Sequence, residues 1–110
     1  VNGLTAPQAT VTWGSASKDF TAAQLQAGIN LAAEFPANPF SAPFENLWNA
    51  IAARQAYETK QIKDIFHGSE GKADMEAAVK KTEAERAPLA AAVKAAIHPL
   101  EHAITLTPKP

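Results

Sequence analysis

Residues 38–68 read NPFSAPFENLWNAIAARQAYETKQIKDIFHG, and this stretch decides the fold. Pro39 and Pro43 stop any earlier helix and hold the residues before them extended. From Phe44 onward the apolar residues recur at helical spacing, through Leu47/Trp48, Ile51/Ala52, Ile62 and Ile65/Phe66. That spacing predicts a helix over residues 44–67, closed by Gly68 as a left-handed C-cap. At ~1.5 Å per residue it would be on the order of 35 Å long, the width of a small domain. The rest of the chain is expected to pack on it.

The middle of this helix breaks its own pattern with Arg54, Gln55, Tyr57, Glu58, Thr59 and Gln61. On the 3.6-residue period Gln55 and Thr59 continue the line through Trp48, Ile51 and Ile62, so polar groups would face the partner element. Each must find a hydrogen bond there or cost about 1–3 kcal/mol. One reading is a satisfied polar layer that fixes helix register. The other is a ligand or partner contact, with Gln55, Tyr57, Glu58 and Trp48 as the candidate binding residues.

Residues 72–97 predict a second helix with a stripe of Met75, Ala78/Val79, Thr82, Leu89, Val93 and Ala96/Ile97, supported by many alanines. Pro88 lies inside it and should kink or briefly break the helix near Arg86-Ala87. The short connection from Gly68 to Gly71 makes the two helices antiparallel neighbours.

Upstream, residues 1–32 read as a β-hairpin followed by a short helix. Ala9–Trp13 alternates and is β-branched, Gly14-Ser15 is a turn, and Ser17–Phe20 can pair back. Thr21 is an N-cap with Gln24 in capping-box register, and Gly28 ends the helix. Such a helix of barely two turns needs Leu25, Ile29 and Leu31 to pack on something larger. Residues 33–43 read as a proline-rich linker that dips Phe35 and Phe40 into the core. Residues 102–107 alternate again and predict a closing strand beside Ala9–Trp13. The expected fold is mainly α (α+β): a long antiparallel helical hairpin with a small β-sheet from the amino- and carboxy-terminal segments.

A chain of 110 residues with 46% hydrophobic content fits one domain, 1–110. Ten basic against eleven acidic residues leave a net charge of -1, no excess to draw nucleic acid or anionic lipid. Without cysteine there is neither a disulfide framework nor a thiolate metal site. No apolar run is long enough to span a membrane. The chain starts at Val1 rather than Met, which reads as an excised piece or a processed product.

Reaction motifs are scarce. His98-Pro-Leu-Glu-His102 matches the inverted zincin string, H-x-x-E-H. That chemistry needs both histidines on one helical face, and Pro99 at a helix-to-strand transition denies it. His98 reads instead as a residue favoured by the dipole of a helix C-terminus. Ser15, Ser17, Ser41 and Ser69 sit in turns without a nucleophile elbow, and His67, Ser69 and Glu70 are too close in sequence to orient one another as a triad. The expectation is no catalytic residue, no metal and no cofactor in this chain. Scattered lysines and Arg86 among acidic neighbours read as a solvated face.

Four stretches carry a family resemblance. DFTAAQLQAGINLA (residues 19–32) resembles the segment that follows the catalytic domain of bacterial SGNH/GDSL-type hydrolases. NPFSAPF (38–44) and QAYETKQIKDIFH (55–67) resemble the helical region beyond it, and AIHPLEHAITL (96–106) resembles that region's proline followed by a β-like tail. The resemblance covers roughly Thr10 to Thr107. It implies a non-catalytic carboxy-terminal accessory domain of a secreted or periplasmic esterase- or lipase-like serine hydrolase, packing on the catalytic domain or shaping access to it. The family's GDS and D-x-x-H blocks belong to the upstream domain, so no catalytic role transfers to any residue here. The implied partner is the upstream catalytic domain of the same polypeptide, or self-association, through an apolar patch on the hairpin. The alternative is a free-standing carbohydrate- or peptide-binding module that uses Trp13, Trp48 and Tyr57 as exposed aromatics.

Overall fold

In the computed structural model, which describes residues 1–110, the two chain ends meet in an antiparallel sheet. Its strands are β1 (Gln8–Trp13), β2 (Ala16–Thr21) and β3 (Ile104–Lys109), in the order β2-β1-β3. Five α-helices and a π-helical turn make up the rest, so the fold is mainly α with a small sheet. Contacts within the chain divide it into two compact units: residues 1–42 with 100–110, and residues 43–99.

In the first unit the period of two is explicit. Ala9, Val11 and Trp13 are buried, while Thr10 and Thr12 turn to the other face. Ala9 stands opposite Phe20 on β2 and Pro108 on β3. Gly14, with φ +64, opens the two-residue loop between β1 and β2, and a Cβ there would lie 2.9 Å from the Pro39 ring. Helix α1 (Ala22–Ala27) starts at Thr21, whose hydroxyl accepts from the Gln24 N–H while the Gln24 side chain accepts from the Thr21 N–H. It stops at Gly28, φ +95. Helix α2 (Leu31–Glu34) is capped by Asn30 and delivers Phe35. The core of this unit is Ala9, Val11, Trp13, Phe20, Leu25 and Phe35, with Ile29 and Leu31 packed against it. On the outer face Lys109 reaches over β1 to Asp19, which also accepts from Thr10. The lysine first, then the threonine, holds the Asp19 carboxyl below its ordinary range. That contribution is present above the ordinary carboxylate value and fades as pH falls through the lowered one.

The closing strand departs from the reading of 102–107. It begins at Ile104, because His102 turns its ring onto Trp13, and it runs through Pro108. An edge strand tolerates a residue without an N–H.

In the second unit helix α3 (Ser41–Lys60) begins three residues before the expected Phe44. Pro43 sits in its first turn, where no intrahelical N–H bond is lost. The residues 33–43 are thus not all linker: both ends of that stretch are helical. After Lys60 the helix widens into a π turn, Gln61–Phe66, with the His67 N–H donating to the Ile62 carbonyl. Gly68 is not a left-handed cap; its φ is −87, and it precedes helix α4 (Ser69–Ala73). Helix α5 (Met75–Ala96) starts at the Asp74 N-cap, so the expected single helix 72–97 is two. Pro88 does not break it: α5 is continuous through that position. Tyr57 meets Glu85, and Gln61 meets Thr82, so α3 and α5 run antiparallel.

The long helix is not the centre of the core. No residue of α3 is buried. Its half-buried line is Leu47, Ile51, Arg54 and Glu58, continued by buried Gln61 and Ile65. That line is one residue, about 100° of helix rotation, away from the one that Trp48, Gln55, Thr59 and Ile62 mark. Those four are exposed. No helix is long and apolar enough to cross a membrane.

Candidate functional site

The polar concentration of the hairpin lies where α3 passes into its π turn and faces the middle of α5. Gln61, buried, donates from Nε2 to the Thr82 hydroxyl at 3.0 Å and to Glu83 Oε1 at 2.9 Å. Thr82, wholly buried, donates in turn to the Ala78 carbonyl at 2.8 Å. The hydroxyl therefore both gives and receives, as a buried polar group must. Tyr57 donates to Glu85 Oε2 at 2.8 Å and lies 3.3 Å from the Thr82 carbonyl. Arg86 Nε donates to Glu58 Oε1 at 2.8 Å, and Arg54 Nε stands 3.5 Å from the same oxygen without a hydrogen bond.

Of the four binding candidates, the structure brings Tyr57 and Glu58 into this layer and leaves Gln55 and Trp48 outside it, exposed. Both layer members are engaged by α5. Glu58 and Gln61 were visible as breaks in the apolar pattern, but Arg86, Thr82 and Glu83 become their partners only once the two helices are set level by the fold. The layer is thus a ladder of internal bonds between α3 and α5, with charge shared around a single glutamate.

Desolvation, followed by the hydrogen bond to Glu85, pushes the Tyr57 hydroxyl up to about 12. A raised value means the folded state holds the phenol proton more tightly. The stability it contributes is whole below the ordinary value near 10 and is lost as pH climbs toward 12. Tyr57 is the chain's one tyrosine, so tyrosinate absorbance reads it alone. The native chain should ionise near 12, the urea-unfolded chain near 10, and Glu85→Gln should move the native midpoint downward.

The sheet unit holds a second cluster. Trp13 Nε1 donates to His102 Nδ1 at 3.0 Å, the tautomer with its proton on Nε2. Phe35 and Phe40 meet the indole edge-on, at 6.2 and 6.0 Å between ring centres. Trp13 is therefore a core residue with its N–H satisfied, not the exposed aromatic that a sugar platform requires. His102 is occupied with it, and His98 and Glu101 are exposed elsewhere. No group of three His, Asp or Glu side chains is placed to hold a metal ion. Glu70 pairs with Lys81, not with His67 or Ser69.

Two of the shallow hollows in the surface are apolar. One, of about 270 Å³, is lined by aliphatic side chains including Val11, Leu25, Leu31 and Leu106. The other, of about 280 Å³, lies between Phe44, Glu45 and Trp48 at the start of α3. Neither brings an acid, a base and a nucleophile together. No family model, no curated protein and no solved structure matches this chain.

Proposed function

We propose that this chain is a non-catalytic accessory and interaction module, the carboxy-terminal region of a secreted or periplasmic SGNH/GDSL-type ester hydrolase. One observation carries the interaction role. Gln61, Thr82, Glu58 and Arg86 inside the hairpin are engaged with one another, while Phe44, Trp48 and Ile97 stand 66%, 61% and 66% exposed. Large apolar groups left in water beside a mostly hydrogen-bonded polar layer favour protein contact over chemistry. The assignment to a hydrolase rests on the resemblance of residues 19–32, 38–44, 55–67 and 96–106. Its partner is then the catalytic domain of the same polypeptide, or a second copy of the chain.

The reading is tested by the coding sequence upstream of Val1 and by assay of the chain alone. A GDS block and a D-x-x-H block are expected upstream, and no hydrolysis of a p-nitrophenyl ester by the 110 residues. An unrelated upstream domain would remove the hydrolase assignment, and turnover by the isolated chain would remove the accessory role. The hollow between Phe44, Glu45 and Trp48 favours a second reading, a carbohydrate- or peptide-binding module. Saturable quenching of Trp48 fluorescence by one member of a glycan panel, lost in Trp48→Ala, would select it.

A further inference from the structure

We propose that the hairpin of α3 and α5 pairs with a second copy of itself through one apolar face, about a two-fold axis at the level of Gln55 and Pro88. The inference stands on the hairpin alone, and it gives this face to a second copy in place of an upstream domain. The exposed large apolar side chains of the hairpin are Phe44, Trp48 and Ile62 from α3 and the π turn, with Met75, Val79 and Ile97 from α5 and its C-cap. On α3 they lie about 90° round from the line that faces α5; on α5, Val79 and Ile97 lie about 70° round from the line that faces α3. Because the helices are antiparallel, the two offsets turn to the same side. The Glu58–Arg86 pair sits on that side between the apolar ends, and Tyr57–Glu85 on the opposite one.

The order of residues along this face is what selects a second copy. Gln61 is level with Thr82, Tyr57 with Glu85 and Glu58 with Arg86, which sets Gln55 level with Pro88. From Gln55, Trp48 lies seven residues back and Ile62 seven ahead. Phe44 and Phe66 stand eleven residues to either side. From Pro88, Val79 and Ile97 are each nine residues away. A two-fold axis requires residue i to meet residue j and j to meet i. Here it sets Trp48 on Ile62 of the other copy, Phe44 beside Phe66, and Ile97 on Val79. At the edge of the same face it brings Glu45 toward Lys63, opposite charges at nearly equal distance from Gln55.

The size agrees. These side chains expose on the order of 600 Å² per copy, against roughly 800 Å² per partner in a standard interface. The need is also visible. Within residues 43–99 the only buried apolar side chains are Ile65, Ala78 and Val93, a thin core for two helices of this length. A second hairpin would complete a four-helix bundle.

The test is sedimentation of the whole chain, combined with cross-linking. The chain has no cysteine, so single cysteines can be placed at will. A species of twice 11.6 kDa is expected, at the micromolar concentrations usual for an interface of this area. Trp48→Lys should weaken it by about 30-fold or more, the loss of a hot spot, with helical circular dichroism retained. Gln55→Cys should form a disulfide with its own copy. Trp48→Cys and Ile62→Cys should cross-link when mixed, and neither with itself. A chain that stays monomeric overturns the proposal, as would occupation of the face by the sheet unit or by a hydrolase domain. A dimer that Trp48→Lys leaves intact, or that links Trp48→Cys to itself while Gln55→Cys stays free, overturns it too.

Discussion

Phe35→Ala should destabilise the sheet unit by about 3–5 kcal/mol, the cost of emptying a buried aromatic site. For a unit of this size that is roughly a 15–30 °C fall in melting temperature. Phe35 is 3% exposed and ends α2, so its ring is the peg that fixes the chain between Asn30 and Asn38 against the sheet. It meets Trp13 at 85°, edge to face, an arrangement worth about 0.5–1.5 kcal/mol beyond the buried area. The near-ultraviolet circular dichroism of Trp13 should therefore collapse in Phe35→Ala, while the exposed Trp48 supplies an unchanged background. Phe35→Leu keeps most of the volume and should cost less than about 1.5 kcal/mol. If Phe35→Ala melted with the parent chain, the core would not be where the structure puts it.

The sheet unit was largely legible because its signals are local. Thr21 and Gln24 cap each other across three residues, Gly14 supplies the positive φ of a two-residue loop, and the alternation of Ala9, Val11 and Trp13 names the buried face. What was not legible came from distant partners. Pro108 looked like the end of a strand, and only the edge position in the order β2-β1-β3 lets β3 continue through it. His102 looked like the first residue of a strand, and the indole N–H of Trp13, far away in sequence, took it for another use.

The hairpin was legible in kind but not in phase. Phe44 and Trp48 are the largest apolar side chains of α3, so they pull any reading of its periodicity toward themselves. The chain instead turns Leu47, Ile51, Arg54 and Glu58 toward α5, accepting a polar centre because Arg86, Glu83 and Thr82 stand ready to satisfy it. A polar seam of this kind has one good register, whereas an alanine-rich apolar seam has several. The aromatic stripe of Phe44 and Trp48 is left outside, exposed. The same phase shift splits the candidate residues: Tyr57 and Glu58 enter the layer, and Gln55 joins Trp48 on the open face.

Gly71→Ala should cost the helical unit about 2–3 kcal/mol, the upper part of the range for overpacking. Gly71 is buried in α4, and a Cβ there would overlap the backbone carbonyl oxygens of Phe66 and Ile65. Those carbonyls belong to the π turn, so they cannot move aside as a flexible side chain would. Relief requires α4 to lift away from the turn, and the turn is what aims Gln61 at Thr82. Gly68→Ala meets the same obstacle at the Asp64 carbonyl, although its φ of −87 is open to any residue. Both glycines are thus needed for close approach of backbone to backbone, unlike Gly28, whose φ of +95 is the constraint and whose surroundings are empty. Thermal melts followed by far-ultraviolet circular dichroism should place Gly71→Ala well below the parent chain and Lys72→Ala, one exposed position along, within about 0.5 kcal/mol of it. Equal melts for the two variants would mean that α4 does not press on the π turn, and the register of Gln61 against Thr82 would then need another support.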